Sequence, residues 1–334
     1  MYAFKTDRPD AARLYHKQFT NGAPENADRE RRFALTSANE NIFRQTILES
    51  GWLMDNITLR DVNALTGSAI NIGASELHTG RVDGGRFRKK IAINGTEFFL
   101  SETDSSARIS YSDMSNIYHT GMPGAFEGEV ADFFGKAYAL DMLRVGFNGV
   151  AIAETTDPEV NKKGEDVNIG WHALAKDYRS GQQIMSTPLT LGESGTWKNL
   201  DLLANHLITE LIAEPYREDP RLVVLVGAEL AANQRLKLFN AADRPADVNA
   251  AQMATSSIAG RFAFIPPFMP GKRLAVTTLD NLHIYTQAET RWFRAEFDDD
   301  RSEYVNSYLR NEGYALGEPD LYAAVDESAI TFSD

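Results

Sequence analysis

The chain contains no cysteine, which excludes disulfides, thiolate metal sites and cysteine nucleophiles together. Histidine is also sparse, and no two histidines lie three to five residues apart. A histidine metal site needs closely spaced partners or a carboxylate from a neighbouring element. We therefore interpret each histidine as a surface or structural residue, and we expect no metal site. The six histidines are His16, His78, His119, His172, His206 and His283.

Long apolar runs are missing as well. The apolar stretch Leu222 to Val226 is far shorter than the roughly 20 residues that a membrane-spanning helix needs. The first residues, MYAFKTDRPDAARLYHK, are charged and lack the apolar centre of a signal peptide. We therefore expect no membrane partner.

Motifs of catalysis and cofactor binding are equally scarce. Residues 67–73 resemble a phosphate-binding loop only superficially, because they lack the Lys-Ser/Thr pair that would reach the phosphates. Residues 192–196 contain a serine, but it is out of register for a hydrolase nucleophile turn. The triplet Asp298 to Asp300 lacks the glycine and distant glutamate of a calcium-binding loop. We expect neither catalytic residues nor a cofactor. An enzyme of unfamiliar α+β fold remains the alternative.

Charge is abundant but unevenly distributed. The 334 residues carry a formal net charge of −13, which argues against general nucleic-acid binding. Residues 289–334 contain twelve acidic and four basic residues, whereas residues 81–90 contain five basic residues and one acidic residue. Segments of opposite charge can attract each other between subunits. The alternative is that both segments are solvated surface. The five basic residues are Arg81, Arg86, Arg88, Lys89 and Lys90.

The first third of the chain predicts two helices and a long hairpin. Residues 1–33 resemble a polar arm with one short helix, Asp10 to Phe19, which would fold best against a partner. Apolar residues at helical spacing predict a helix over Ser37 to Met54. Residues 62–118 alternate in polarity and are rich in turn residues, which favours strands with too few large apolar side chains for a core. Such a hairpin must pack on something else.

The strongest helical pattern runs from Phe126 to Val145, with apolar residues at steps of three and four. Gly146 is predicted to end this helix in a left-handed conformation, and Asn148-Gly149 to reverse the chain. Helices and strands then alternate irregularly, which indicates an α+β fold. The remaining predicted helices are Leu202 to Glu214, Ala228 to Phe239 and Val248 to Ile258. The remaining predicted strands are Leu222 to Val226, Leu274 to Thr278, Leu282 to Thr286, Arg291 to Phe297, Tyr304 to Arg310 and Ala323 to Phe332.

Several short sequence motifs in this chain resemble those of the major capsid proteins of peduovirus-type tailed phages. They occur in the family's order and spacing over roughly residues 40–332, whereas residues 60–120 agree only in general character. The motifs are GFNG at residues 146–149, AETTDP at 153–158, DV with GW at 166–171, EDP with the following apolar run at 218–227, and LDNLHIY at 279–285.

The resemblance implies an HK97-type capsid fold. Its parts would be a scaffold-interacting N-terminal segment that can be removed (1–33), an N-terminal arm (34–61), an extended loop (62–118), a peripheral domain with a long spine helix (119–220), an axial domain (221–278) and strands returning to the peripheral domain (279–334). The implied function is a structural major capsid protein that assembles into pentamers and hexamers of an icosahedral head enclosing double-stranded DNA. An encapsulin-like container is the alternative within the same fold.

The resemblance also implies partners and a location. Besides copies of itself, the subunit would meet a scaffold and protease during assembly, a portal protein, and packaged DNA without sequence specificity. It would be assembled in the host bacterial cytoplasm and reside in the virion. Phe33-Ala34 is a candidate processing junction, because it follows the charged segment Arg29 to Arg32. The basic residues at 81–90 would contact a neighbouring subunit.

Overall fold

The computed structural model describes residues 8–24, 27, 32–49, 51–72, 77, 79–88, 93–120, 126–241 and 257–333. Helices and strands are mixed along these residues, as predicted for an α+β protein. The helices are α1 (Arg8–Asn21), α2 (Ser37–Glu49), α3 (Trp52–Asn56), α4 (Tyr111–Thr120), α5 (Phe126–Asn148), α6 (Trp171–Asp177), α7 (Leu200–His206) and α8 (Ala228–Ala241).

Most of the strands are short, and β13 is the longest at 14 residues. The strands are β1 (Thr58–Val62), β2 (Thr66–Ile72), β3 (Ile93–Phe99), β4 (Ser101–Ser110), β5 (Ile184–Met185), β6 (Leu189–Leu191), β7 (Val223–Val226), β8 (Ser257–Ile258), β9 (Arg261–Phe264), β10 (Leu274–Thr277), β11 (Leu282–Gln287), β12 (Trp292–Asp298), β13 (Glu303–Leu316), β14 (Ala323–Val325) and β15 (Ile330–Phe332).

The first sheet is organised around β13. Its strands follow the order β1-β11-β13-β12, and β4 also pairs with β13. Residues 303–309 of β13 pair with β12 and also with β4, so this part of the strand is covered on both edges. Helices α1, α2, α4 and α5 bury their apolar faces against this sheet in one large cluster of aromatic and aliphatic side chains. Fully buried Tyr138, Tyr304 and Tyr308 lie at its centre.

Helix α5 is the long helix that the sequence predicts, and in the described residues it runs from Phe126 to Asn148. Phe126, Val130, Phe134, Tyr138 and Met142 recur every four residues and are all buried. Its 23 residues make a rod of about 35 Å at 1.5 Å per residue. Because one face of this rod is buried along almost its whole length, the helix is a central part of the core on the first sheet.

The second sheet has six strands in the order β5-β14-β10-β7-β9-β8. It carries its own apolar cluster, in which α7, α8 and the adjoining pair β6-β15 cover strands β7 and β10. All four residues of β10 are buried, which is why this segment of the sequence lacks polar alternation. One face of the second sheet packs in this cluster, and its other face contributes Leu225, Ala275 and Ala324 to the large cluster of the first sheet.

Several predicted boundaries need correction. The long helix continues past Gly146 to Asn148, and Gly146 does not adopt a positive φ angle. Strand β4 and helix α4, both within residues 62–118, lie in the first sheet and its core. The strand predicted from Tyr304 to Arg310 is twice as long, because β4, β11 and β12 all pair with it.

The second half of the chain brings smaller corrections. The helix predicted over Leu202 to Glu214 begins at Leu200 and changes to a π turn at Leu207–Leu211. The strand predicted over Ala323 to Phe332 is two strands in different pairings, β14 and β15. Of the helix predicted over Val248 to Ile258, residues 257 and 258 form strand β8 instead. The rest of that prediction lies outside the described residues.

Candidate assembly surfaces

Strands β2 and β3 form a hairpin that leaves the first sheet. They pair antiparallel from Thr66 with Phe99 to Ile72 with Ile93, and neither strand joins a larger sheet. The base of the hairpin is fixed by Phe98, whose ring lies 4.6 Å from that of Tyr285. Gly67 sits directly under the Phe98 ring, since a Cβ there would be 2.6 Å from it. In the part of the hairpin that the structure describes, the contact with the first sheet is therefore at the base.

The loop at the other end of the hairpin carries three of the predicted contact residues. Arg81, Arg86 and Arg88 are all exposed in residues 79–88, so the fold presents them on one loop. Lys89 and Lys90 lie outside the described residues. The same loop exposes large apolar side chains, with Leu77 exposed by 76%, Val82 by 53% and Phe87 by 37%. Apolar and cationic groups presented together are typical of a surface that a partner covers.

Acidic surface suited to such a loop is available elsewhere on the subunit. Glu129 and Asp132 are exposed on the first half of α5, beside an exposed Phe133. The turn between β12 and β13 exposes Asp299 and Asp300, and the Tyr111 hydroxyl donates to Asp299 at 2.9 Å. Burial and this carboxylate raise the pKa of Tyr111 to about 12.

The candidate processing junction lies in an ordered part of the fold. Phe33 is only 1% exposed, and its backbone N–H and C=O exchange 2.8 Å hydrogen bonds with Phe293 of β12. A protease needs an extended, accessible backbone, which this bridge does not offer. The peptide bond between Phe33 and Ala34 therefore becomes accessible only when this edge of the first sheet opens. Of the charged segment before it, Arg29 to Arg31 lie outside the described residues.

A buried arginine joins the two sheets, and sequence reasoning missed it. Arg273, at the start of β10, is 5% exposed and donates to the backbone oxygen of Phe147 in the last turn of α5 at 2.5 Å. Its Nε and Nη2 each donate to Glu327 at 2.8 Å, a bidentate pair. The only sequence signal was a basic residue directly before a buried strand. Arg273 ties the end of the long helix to the second sheet.

A histidine and two acids lie beside this arginine. His172, Asp326 and Glu327 bring ligand atoms within 4.8 Å of one another, a spacing that a metal ion could use. Each carboxylate already has a cation, however, because Lys176 pairs with Asp326 and Arg273 with Glu327. The facing His172 ring, together with hydrogen bonds from Lys176 and Ser328, holds the pKa of Asp326 far below its usual range. We therefore interpret the cluster as a salt-bridge network.

His172 itself is buried and incompletely hydrogen-bonded. Its Nδ1 lies 3.3 Å from the Tyr322 hydroxyl, while Nε2 lies 3.7 Å from Asp326 and has no hydrogen-bond partner. Burial lowers the pKa of His172, and the nearby acid only partly opposes this shift. The imidazole is therefore neutral near pH 7.

Among the described helices, none is long and apolar enough to cross a membrane.

The long helix packed on one sheet, the outward hairpin and the second sheet together define the class of protein. It is a shell-forming subunit with the HK97-type capsid fold. A chain from the structure described as the satellite phage P4 procapsid including size determination (Sid) protein has the same fold, with a TM-score of 0.76, 21% identity and 99% of both chains covered.

Sequence comparison identifies the family to which the chain belongs. It is 27% identical over 277 residues to the capsid protein of Escherichia phage P2, covering 77% of this chain and 76% of the relative. It is 21% identical over 272 residues to the major capsid protein of Serratia phage KSP20, covering 77% of each. The family described as phage major capsid protein, P2 family, matches residues 14–328, and the chain belongs to that family. It is a self-associating structural component of the virion that forms the icosahedral capsid, and not an enzyme.

Proposed function

We propose that the chain assembles into pentamers and hexamers of a phage head that encloses double-stranded DNA. In this arrangement the first sheet with α5 is the peripheral domain, and the second sheet is the axial domain around the centre of each capsomer. The strand pairings favour an extended loop of about residues 63–100, shorter than the predicted 62–118. They also favour an axial domain that includes residues 184–230 and 321–330.

The observation that carries this proposal is the hairpin β2-β3. It has no core of its own, is anchored at its base and exposes apolar and cationic side chains at its far end. Such an element buries its surface only against another molecule, which couples shell formation to subunit stability. A copy of the same chain fits, because its net charge of −13 is opposite in sign to that of the loop.

The contact we propose is made by Arg81, Arg86 and Arg88, together with Lys89 and Lys90, on acidic surface of a neighbouring subunit. Each exposed pair stabilises the contact by about 1 kcal/mol or less, so the cluster acts mainly by setting the register between subunits. Apolar burial around Phe87 would supply the larger share of the stability.

Further partners follow from the same role. We propose a scaffold and a protease during assembly in the host cytoplasm, a portal protein at one vertex, and DNA held without sequence specificity. Residues 1–33 would interact with the scaffold and then be removed at or near Phe33-Ala34. The burial of Phe33 supports a cut that waits for a conformational opening.

The contact can be tested by charge reversal. All five basic residues are replaced by glutamate, and the protein is produced with its scaffold and analysed by sedimentation and electron microscopy. A matched control exchanges each arginine for lysine and each lysine for arginine, which preserves the charge. We expect the control to form shells and the glutamate variant to remain as free subunits with an unchanged melting temperature. Normal shells from the glutamate variant would contradict the proposed contact.

A further inference from the structure

Helix α1 covers a row of aromatic rings on the first sheet and α5. Phe134, Phe293, Phe297 and Tyr304, here called the aromatic groove, line the surface on which α1 lies. Three residues on the inner face of α1 are almost completely buried, with Ala11 exposed by 2%, Ala12 by 0% and Tyr15 by 3%. The composition of residues 1–33 suggested a loosely attached arm, but this helix is a part of the core.

The contacts between α1 and the groove are specific in geometry. The Tyr15 ring meets Tyr304 edge to face at 5.5 Å and lies 6.1 Å from Phe134. The His16 ring lies 4.8 Å from Phe297, and its Nδ1 is 3.2 Å from the Tyr304 hydroxyl. One turn later, Phe19 lies 5.9 Å from Phe293. Tyr15, His16 and Phe19 therefore face the groove together, as an amphipathic helix does in a binding groove.

The other face of α1 is solvent-exposed, so the helix is a surface layer. Arg13, Leu14, Lys17 and Gln18 are all exposed, with Leu14 at 45%. The following chain is held through the backbone oxygen of Gly22, which accepts hydrogen bonds from the backbone of Thr36 and the side chain of Asn39. Helix α1 also packs against α4, so its separation from the groove breaks that packing as well as this connection.

The packing below α1 also contains a buried polar group. Asn306 in β13 is fully buried, and its side chain interacts with that of Tyr15 in α1. This polar group therefore belongs to the contact between α1 and the first sheet.

We infer that the aromatic groove is a helix-binding surface and that α1 is its detachable cover. The cover keeps the free subunit folded and soluble. A chain that has lost residues 1–33 exposes the groove, which can then bind α1 again as a separate peptide. Only the loss of the cover rests on the proposed function. The recognition between α1 and the groove stands on the contacts above.

The first test uses the full chain and two neighbouring residues of α1. Tyr15→Ala removes a ring from the groove, whereas Leu14→Ala shortens an exposed side chain on the same turn. We expect Tyr15→Ala to lower the melting temperature by about 5 °C or more and Leu14→Ala to leave it nearly unchanged. Equal melting temperatures for Tyr15→Ala and the parent chain would overturn the inference.

The second test supplies the cover as a separate molecule. A chain beginning at Ala34 is prepared, and a synthetic peptide of residues 8–21 is added. The control peptide carries serine in place of Tyr15 and Phe19. We expect the truncated chain to bind a hydrophobic dye, and the native peptide to suppress this binding and raise the melting temperature. If the truncated chain is insoluble, we expect the native peptide alone to restore soluble protein during refolding. No effect of the native peptide, in either form of the test, would overturn the inference.

These outcomes do not depend on processing in the phage. Mass spectrometry of particles decides whether residues 1–33 are removed, and peptide binding decides whether the groove recognises α1. A subunit that keeps Met1 in particles but binds the peptide after truncation would reject only the proposed removal.

Discussion

The backbone of Gly146, in the last turn and a half of α5, lies against the indole ring of Trp171 at the start of α6. An ideal Cβ on Gly146 would stand 2.5 Å from the ring. The indole Nε1 donates to the backbone oxygen of His283 in β11 at 3.0 Å, so the ring cannot move aside without losing this bond. Gly170 adds a second close approach, since its Cβ would be 2.5 Å from the Gly146 oxygen. Here the long helix, α6 and the first sheet meet.

This relationship predicts the effect of a single methyl group. Gly146→Ala should destabilise the subunit by about 1–3 kcal/mol, because the added carbon overpacks a rigid buried ring. The matched control is Gly128→Ala on the exposed side of the same helix, where a Cβ meets nothing within 4 Å. That change should be neutral or stabilise by up to about 1 kcal/mol through helix propensity. Urea unfolding of both variants measures the difference, and equal stabilities would contradict the packing role of Gly146.

Sequence reasoning identified Gly146 but gave the wrong cause. A glycine near the end of a helix usually indicates a left-handed terminating residue, which is a local property of the backbone. Gly146 is instead required by Trp171, a contact across 25 positions of sequence that periodicity does not show. The long helix, the buried strands and the hairpin were predictable because each has a repeating pattern or a turn signal.

The assignment of segments to sheets was less predictable. Strand β4 has the alternating pattern of a solvent-facing hairpin, with charged Asp104 and Arg108 exposed or half-exposed along it. Strand β4 also pairs with ten residues of β13, and this pairing cannot be read locally because β13 is about two hundred residues away in the sequence. The pair of Arg273 and Glu327 could not be recognised for the same reason, because the two residues lie 54 positions apart in the sequence. The five basic residues at 81–90 were evident from composition alone.

Arg273 should be important for stability. Arg273→Met keeps the aliphatic part of the side chain but leaves the Phe147 carbonyl and the Glu327 carboxylate without their donor. We expect a loss of about 2 kcal/mol, below the value for a fully buried pair, because Glu327 is 37% exposed. Arg294→Met breaks an exposed pair with Glu296 and should change the free energy of unfolding by less than about 1 kcal/mol. Similar losses of stability for the two variants would contradict the role of Arg273 in joining the end of α5 to the second sheet.

Stability should fall as the solution becomes acidic. Burial lowers the pKa of His16, His172 and His283 in the folded chain, so the unfolded chain takes up protons first. The stabilising contribution is complete above the unfolded value of about 6.5 and is lost progressively as the pH falls below it. Urea unfolding at several pH values between 8 and 5 measures this slope. His172→Gln, which cannot be protonated, should make the slope shallower, and an unchanged slope would show that His172 does not contribute.

The N-terminal segment gives a prediction about the finished particle. Mass spectrometry of subunits from infectious particles should show a chain that begins near Ala34, as proposed for a segment used only in assembly. Phe33 is bridged to Phe293 in the folded subunit, so purified free subunits should resist cleavage at this bond. An intact Met1 in mature particles would exclude removal. Rapid cleavage of free subunits at residue 33 would contradict the protection.

The central claim is that this chain builds a closed shell in which the hairpin β2-β3 lies on a neighbouring subunit. Cryo-electron microscopy of particles produced with the scaffold tests it most directly. We expect icosahedral shells of pentamers and hexamers, with the loop of residues 79–88 in contact with acidic surface of the adjacent copy. A hairpin folded back onto its own subunit, or a preparation that contains only free subunits, would contradict this account.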